Sequence, residues 1–396
     1  MASHTPNTIK NDVVLHTKKA GIVPLSNKVV TVPREAQIRD ISLETKENFG
    51  AAMERIYAWY ECEVIDRPPV RFAAHNAQFN MAKEIERTPK QWKMLWFDTE
   101  RVVEGFIQSI KKKEFLGETF PVFWPNIGPD AYASFYGCEL IYREVTSWSR
   151  PIIKTWDDID KLKLDMRNGY FKKVEELTSY ALERRSGKFL VGYTDLHPGM
   201  DCVLAWRGME QLCFDLLEAP EQVARMVEIA SRDFRSIYDH FDNILKAHNQ
   251  PSISWMEIPS FEKFHIPSCD FATMMSPEQF NRFALPAIQE EVKYMPHNVF
   301  HLDGKGVAKN IDKLLEMPEI TAIQWAQGVG EDLPIMQWVP LIKRIQQAGK
   351  GVIVDLQKCE LEEFVEQMQP EGIFLWIAED DEAEQKKIIR RLEKWA

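Results

Sequence analysis

Cysteine is sparse: six residues in 396, at Cys62, Cys138, Cys202, Cys213, Cys269 and Cys359, with no C-x-x-C pair among them. A chain long enough to bury a large core does not need disulfides, so these read as reduced thiols and point to a reducing cytoplasm. No stretch reaches membrane-spanning length, and the opening Met-Ala-Ser-His-Thr-Pro-Asn-Thr holds no apolar signal segment, which leaves no membrane partner to expect. Positive charge is scarce as well. Lys and Arg number 49 against 60 Asp and Glu, a net charge of -11, whereas nucleic-acid binding requires a concentrated basic surface. No DNA or RNA partner is therefore expected, and the runs Lys111-Lys112-Lys113 and Arg390-Arg391 read as solvated helix faces. Also missing are G-x-S-x-G, a P-loop and H-E-x-x-H, which removes serine hydrolases, nucleotidases and zincins.

With 45% hydrophobic and 28% charged residues the chain has the composition of a globular protein. Residues 1 to about 40 lack a clear period, and we take 1–43 as an arm packing on the body or on a partner subunit, as in a homodimer. From Glu44 a helical period begins, with Phe49, Met53, Ile56, Tyr57 and Tyr60 on one face. Eight short apolar or β-rich runs follow, separated by helical stretches: Val70 to Ala74, Phe120 to Trp124, Phe189 to Tyr193, Ser252 to Met256, Val299 to Leu302, Thr321 to Trp325, Gly351 to Val354 and Ile373 to Ile377. Such alternation marks βα units feeding a parallel sheet. Helix punctuation is clear at Ser276-Pro277-Glu278-Gln279, a capping box with proline at the first position, and Pro286 should kink or split the helix begun at Pro277. Pro220 should open a long helix with its face running from Val223 through Phe234 to Ile244.

Eight parallel runs can close as a barrel or lie open as a doubly wound sheet. No glycine-rich dinucleotide fingerprint follows the first run, and polar residues cluster just after nearly every run, where barrel enzymes carry their chemistry. The expected fold is α/β: one (β/α)8 TIM-type barrel over residues 44–396 with an N-terminal extension.

The C-terminal ends of the runs collect His75 and Asn76; Trp124 and Asn126; Asp195, His197 and Asp201; Trp255 and Glu257; His301 and Asp303; Gln324, Trp325 and Gln327; Asp355 and Gln357; Trp376 and Glu379. In a barrel all would face one mouth. Alternate residues at a strand end point the same way, so His301 and Asp303 address one ligand, as acid and base or as two ligands of a divalent metal. The same spacing suits a histidine simply hydrogen-bonded at the rim. The loop Tyr193 to Asp201 has a ligand-facing polar alternation, and equally the pattern of a turn whose Asp caps the next helix. His265 and Cys269 have a helical ligand spacing that Pro267 breaks. Trp255, Trp325 and Trp376 are the tryptophans placed to hold a quaternary ammonium or stack a methoxylated ring.

Several segments resemble uroporphyrinogen decarboxylase-like proteins over roughly Glu44 to the C-terminus: Ile65-Asp66-Arg67-Pro68-Pro69-Val70, Asn126-Ile127-Gly128-Pro129, Thr194-Asp195-Leu196-His197, Arg207-Gly208-Met209-Glu210, Met275 to Phe280, and His301-Leu302-Asp303-Gly304 followed by Ala322-Ile323-Gln324-Trp325. They are similar to the subgroup labelled trimethylamine corrinoid proteins, in the cobalamin-dependent methyltransferase branch. The resemblance implies a barrel that demethylates a small O- or N-methylated substrate onto a cobalamin held by a separate corrinoid protein. Zinc-dependent thiol methyltransferases of the family carry His-x-Cys-Gly here, with a further cysteine near the seventh strand. In this chain His301 matches the histidine, Asp303 replaces the cysteine and Cys359 lies near the late cysteine's region. That gives either a harder zinc site, with His301, Asp303 and Glu257 as ligands, or no metal at all.

The roles expected are these. His301 and Asp303 are catalytic, protonating or polarising the leaving group, and Glu257 and Asp195 orient the substrate. His197, Trp255, Arg207, Gln324, Trp325, Trp376 and Asn126 line its pocket. The alternatives are a cofactor-free decarboxylase, with Arg207 as carboxylate clamp, and a non-catalytic ligand-binding barrel. The decarboxylases hold propionates with paired arginines in an early motif, of which only Arg67 and Arg71 lie near.

Overall fold

A computed structural model describes residues 41–72 and 87–396; all of the expected arm but residues 41–43, and the site candidates His75 and Asn76, lie outside them. Ten strands lie among the described residues: β1 (Val70–Arg71), β2 (Val122–Phe123), β3 (Leu140–Tyr142), β4 (Ser147–Ser149), β5 (Leu190–Val191), β6 (Phe264–His265), β7 (His297–Asp303), β8 (Ala322–Ala326), β9 (Gly351–Asp355) and β10 (Ile373–Trp376). Six of them form a curled parallel sheet in the order β1-β10-β9-β8-β7-β6. β2 and β5 form a separate parallel pair, and β3 and β4 an antiparallel hairpin. The protein is thus α/β with parallel strands and helical crossovers. No helix among the described residues is long and apolar enough to cross a membrane.

Seven of the eight expected runs contain a strand. The fourth, Ser252 to Met256, does not: Ser252 makes only an isolated antiparallel bridge to Ser260, and the place beside β7 goes to β6 instead. The cause is local. Pro251 and Pro259 bracket the run and cannot donate to a ladder, while Glu257 turns the chain with a φ of 57°. What remains of pairing there is the bond from the Tyr193 N–H to the Ile253 carbonyl, 2.9 Å.

The sheet has two differently used faces, because side chains alternate along each strand. Leu302, Ile323, Trp325, Val354 and Leu375 point to the face that packs against the crossover helices. Val299, Ala322, Ile353, Phe374 and Trp376 point to the other, where they meet the helix Phe49–Tyr60. That helix buries the face expected of it, Phe49, Met53, Ile56, Tyr57 and Tyr60 included, and so plugs the sheet near the strands' N-terminal ends. Trp59 anchors it by donating its indole N–H to the Gly372 carbonyl, 2.9 Å.

Of the helix expectations, two hold and one changes. Ser276 and Gln279 do form the reciprocal capping box. Pro286 falls where that helix is split: a π-helical turn at Phe280–Ala284 separates Pro277–Gln279 from Leu285–Val292 and takes up the proline's missing N–H. The helix opened by Pro220 is not continuous either, stopping at Arg232 and restarting at Phe234, with the intervening Asp233 accepting a hydrogen bond from Tyr136.

Gly351 begins β9 where the Trp59 ring lies against the sheet; a Cβ there would stand 2.9 Å from two indole atoms and 3.1 Å from the Ala322 Cβ. Overpacking of this kind costs about 1–3 kcal/mol. Gly351→Ala should lower the urea midpoint accordingly without changing the slope of the transition.

Candidate active site at the C-terminal ends of the strands

The register of the parallel strands builds the site in rows. A lower row runs Phe374, Ile353, Gln324, His301 and then Ser268, which bridges to His301. Two residues along, the next row on the same face runs Arg71, Trp376, Asp355 and, continuing the β8–β9 register, Ala326 and Asp303. The row below is an apolar floor at one end and a histidine–glutamine pair at the other. The row above is charged.

At the β7 end, Asp270, His301 and Asp303 bring one ligand atom each to within 4.8 Å of one another. Sequence reasoning had His301 and Asp303 but missed Asp270, which takes the place expected for Glu257. Asp270 arrives because Pro267 accepts the His301 N–H, 2.9 Å, and Ser268 lies opposite His301, so that two residues farther on Asp270 stands beside Asp303. The only signal was an acid following Pro267-Ser268-Cys269, a stretch without a period.

His301 is buried, with Nδ1 bonded to the Gln324 Oε1 at 2.6 Å and Trp255 edge-on at 5.2 Å between ring centroids. With the Nδ1 proton given to Gln324, Nε2 is the nitrogen whose lone pair serves a ligand. Asp270 reaches solvent at one edge but is crowded by protein on the other. Removal from water, with the Asp201 and Asp303 charges adding to it, pushes its carboxyl up to about 6, against the pull of His301 and His197. One imidazole and two carboxylates are a donor set suited to a divalent ion such as zinc. No thiolate joins it: Cys359 is exposed on the turn after β9.

Asp195 and His197 pair directly, Oδ2 to Nε2 at 2.8 Å, and His197 Nδ1 lies 2.6 Å from the Ser268 Oγ. Burial opposes a charge on this imidazole, but the Asp195 carboxylate, and Asp201 and Asp270 behind it, outweigh burial and raise it to about 10. A Ser-His-Asp hydrolase needs a neutral imidazole to take the serine proton, so this trio is not such a triad.

Glu257 is engaged elsewhere. Arg71 reaches from β1 to the Met256 carbonyl at 3.0 Å and to Glu257 Oε2 at 2.7 Å, with its guanidinium 4.6 Å above the Trp376 ring. Burial pushes the Glu257 carboxyl up, and Arg71 holds it back. Arg71 is a second residue of the mouth that the strand-end reading passed over.

Three expected pocket residues are used differently. Trp325 follows Gln324 and so faces the helices, fully buried against Trp338 at 4.9 Å. Arg207 ends the helix Gly199–Arg207, about 12 Å from the start of that helix at 1.5 Å per residue, and its guanidinium is taken up by Asp215 at 2.6 Å, the Ile153 and Lys154 carbonyls and the Trp156 ring. Asn126 turns its Oδ1 onto the Gly128 N–H, 2.7 Å, shaping the loop after β2. His265 does not pair with Cys269 but with Glu291, Nε2 to Oε1 at 2.6 Å, both fully enclosed.

No protein-family model matches this sequence, and no curated protein does. Among solved structures the chain is similar to a methyltransferase from Methanosarcina mazei, with a TM-score of 0.51 and 10% identity over 87% of this chain and 98% of that one. That likeness is one of fold.

The His265–Glu291 pair yields a test with a definite sign. Burial disfavours the charged form of each, lowering His265 to about 3 and raising Glu291 well above the usual carboxylate range. The histidine contribution is complete above its unfolded value and is lost as pH falls toward its folded one. The glutamic acid contribution is complete below its unfolded value and is lost as pH rises. Glu291→Gln removes the second loss only. In urea unfolding at about pH 5 and about pH 8, the stability difference should shift in favour of the variant at the higher pH.

Proposed function

We propose that this chain is a methyltransferase that takes the methyl group from a small O- or N-methylated compound and passes it to a cob(I)alamin carried by a separate corrinoid protein, inside a reducing cytoplasm. The sheet, the β2–β5 pair and the Ile253 segment are read as the wall of one closed (β/α)8 barrel whose mouth is the site. The observation that carries the reading is the Asp270, His301 and Asp303 group at the C-terminal edge of the parallel strands, where such folds place their chemistry. A fold shared with a protein named a methyltransferase supports it.

In methyl transfer to a cobalt(I) nucleophile the methyl leaves without the bonding pair, which stays on oxygen or nitrogen. That heteroatom must be made a better leaving group by a proton or a cation. Asp270, His301 and Asp303 would hold a divalent ion such as zinc, which when bound supplies Lewis-acid polarisation of the leaving atom. The protein's own side chains do the rest. Gln324 fixes the His301 ring from below, and Trp255 walls it on one side. The Gln324 amide nitrogen, buried and without a hydrogen-bond partner among the described residues, offers a donor to a substrate oxygen. Trp376, Arg71 and Glu257 shape the far side of the mouth. Met274 and Val329 stand exposed at its rim, one at the end of the turn that Asp270 begins and the other in the loop after β8, as apolar contacts for a docking partner. A decarboxylase would need a free cationic clamp, and Arg207, the residue named for that role, is saturated by internal contacts.

Elemental analysis should find near-stoichiometric zinc in the wild type after zinc loading, and loss in His301→Ala, Asp303→Ala and Asp270→Ala, with Glu257→Ala retaining it. Incubation with cob(I)alamin and a panel of methyl ethers and methylamines should convert the corrinoid to its methyl form, at least about 100-fold more slowly in Asp303→Asn. A wild type that neither binds metal nor methylates the corrinoid with any donor would sink the reading.

A further inference from the structure

We propose that His197 is a positioning residue: acting through Ser268 and Asp201, it clamps the start of the turn Asp270–Met274 and thereby sets Asp270 beside His301 and Asp303. The proposal rests on Asp270 belonging to the ligand group described above.

The segment that delivers Asp270 is poorly tied by its backbone. Its ladder with β7 ends at the Pro267 carbonyl and the Ser268 bridge, two residues short of the ligand. Beyond that point the turn keeps its own backbone bonds, Ala272 N–H to the Cys269 carbonyl and Met275 N–H to the Ala272 carbonyl, and Lys309 reaches the Thr273 carbonyl, but the amides of Asp270 and Phe271 are tied to Asp201, in the first turn of the helix Gly199–Arg207. One Asp201 oxygen, Oδ2, accepts the Asp270 N–H at 3.0 Å, and Oδ1 accepts the Phe271 N–H at 3.0 Å. The Ser268 hydroxyl donates to the same Oδ2 at 3.3 Å.

Proton bookkeeping along the relay is consistent in one direction. Ser268 gives its proton to Asp201, so its oxygen accepts from His197 Nδ1–H; His197 gives its Nε2–H to Asp195. Both ring nitrogens donate, which requires the imidazolium. The cation sits among Asp195, Asp201, Asp270 and, on the loop after β2, Asp130, while the neighbouring His265 opposes it. Without it, Asp201 and Asp270 would repel each other across the turn that the two backbone N–H bonds hold shut. The clamp and the neutralising charge are thus one side chain.

The test is amide hydrogen exchange of the metal-free full chain, wild type against His197→Gln and Ser268→Ala, followed by zinc titration of all three. Exchange at the Asp270 and Phe271 amides should rise at least about tenfold in both variants, with β8 amides protected as in the wild type and little change in Tm. Zinc affinity should fall about 10- to 100-fold, the effect of losing a group that orients a ligand. Where His197→Gln loosens the whole fold, Ser268→Ala, which deletes a single oxygen, carries the decision. Wild-type protection of the two amides in Ser268→Ala overturns the clamp. Release of the amides with zinc affinity unchanged overturns the positioning role. A wild type that binds no zinc overturns the ligand reading of Asp270, and the exchange data then decide the clamp by themselves.

Discussion

Everything at the site hangs on the parallel register of β7 with its two neighbours. On one side His301 pairs with Gln324 and Asp303 with Ala326; on the other Ser268 lies against His301. A slip of one residue would turn Leu302 toward the mouth and both ligands toward the helices, because the side-chain period is two. The register is specified by apolar pattern. Phe300, Leu302, Ile323 and Trp325 interlock under the crossover helices, while Val299 and Ala322 meet the plugging helix from the opposite face. Burial of a large apolar side chain is worth about 1.5–3 kcal/mol, so several such residues per strand outweigh anything the polar rim contributes to alignment. Core packing, not site chemistry, decides where the ligands point.

This explains which parts of the site were legible in the amino-acid sequence. His301 and Asp303 lie on one strand, and a strand's own alternation is enough to put them on one face. Gln324 and Trp325 were both assigned to the pocket, although adjacent strand residues cannot share a face; parity alone would have removed Trp325. Asp270 was out of reach, since its position depends on how a non-periodic segment containing Pro267 aligns with β7, and that is a tertiary fact. The same limit applies to Arg71, whose importance lies in a contact with residues 256 and 257 far along the chain. The alternation of runs and helices conveyed the parallel α/β plan. It overcounted at Ser252 to Met256, where β-rich composition was outweighed by flanking prolines and a left-handed glutamate.

The charge distribution around the ligands has a cost that the fold distributes. Asp195, Asp201, Asp270 and Asp303 crowd one end of the mouth, and like charges brought together out of water resist ionisation. The rise of Asp270 to about 6 records that resistance. At the same end the His197 imidazolium offsets part of it, and at the other end the Arg71 guanidinium balances Glu257. Immediately behind, burial disfavours the charge on both His265 and Glu291. Asp195 and Glu257 are thus countered by cations, while Asp270, in the ligand group, is pushed toward neutrality.

Strain is placed in the same region. Glu257 is one of five non-glycine residues with positive φ among the described residues, and at 57° its backbone sits in a conformation that costs on the order of 1 kcal/mol for a residue with a Cβ. Arg71 holds it there with one bond to the Met256 carbonyl and another to the Glu257 carboxylate, from a guanidinium pinned to the Trp376 face. The turn so fixed carries Trp255, which meets His301 edge-on. The chain of contacts runs Trp376, Arg71, Glu257, Trp255, His301. It ties the β1 edge of the sheet to the ligand group on β7 across the mouth, a distance that the hydrogen-bonded ladder covers only by way of β10, β9 and β8. A strained turn at this point is thus the means by which the two ends of the curled sheet are held to one geometry above the site.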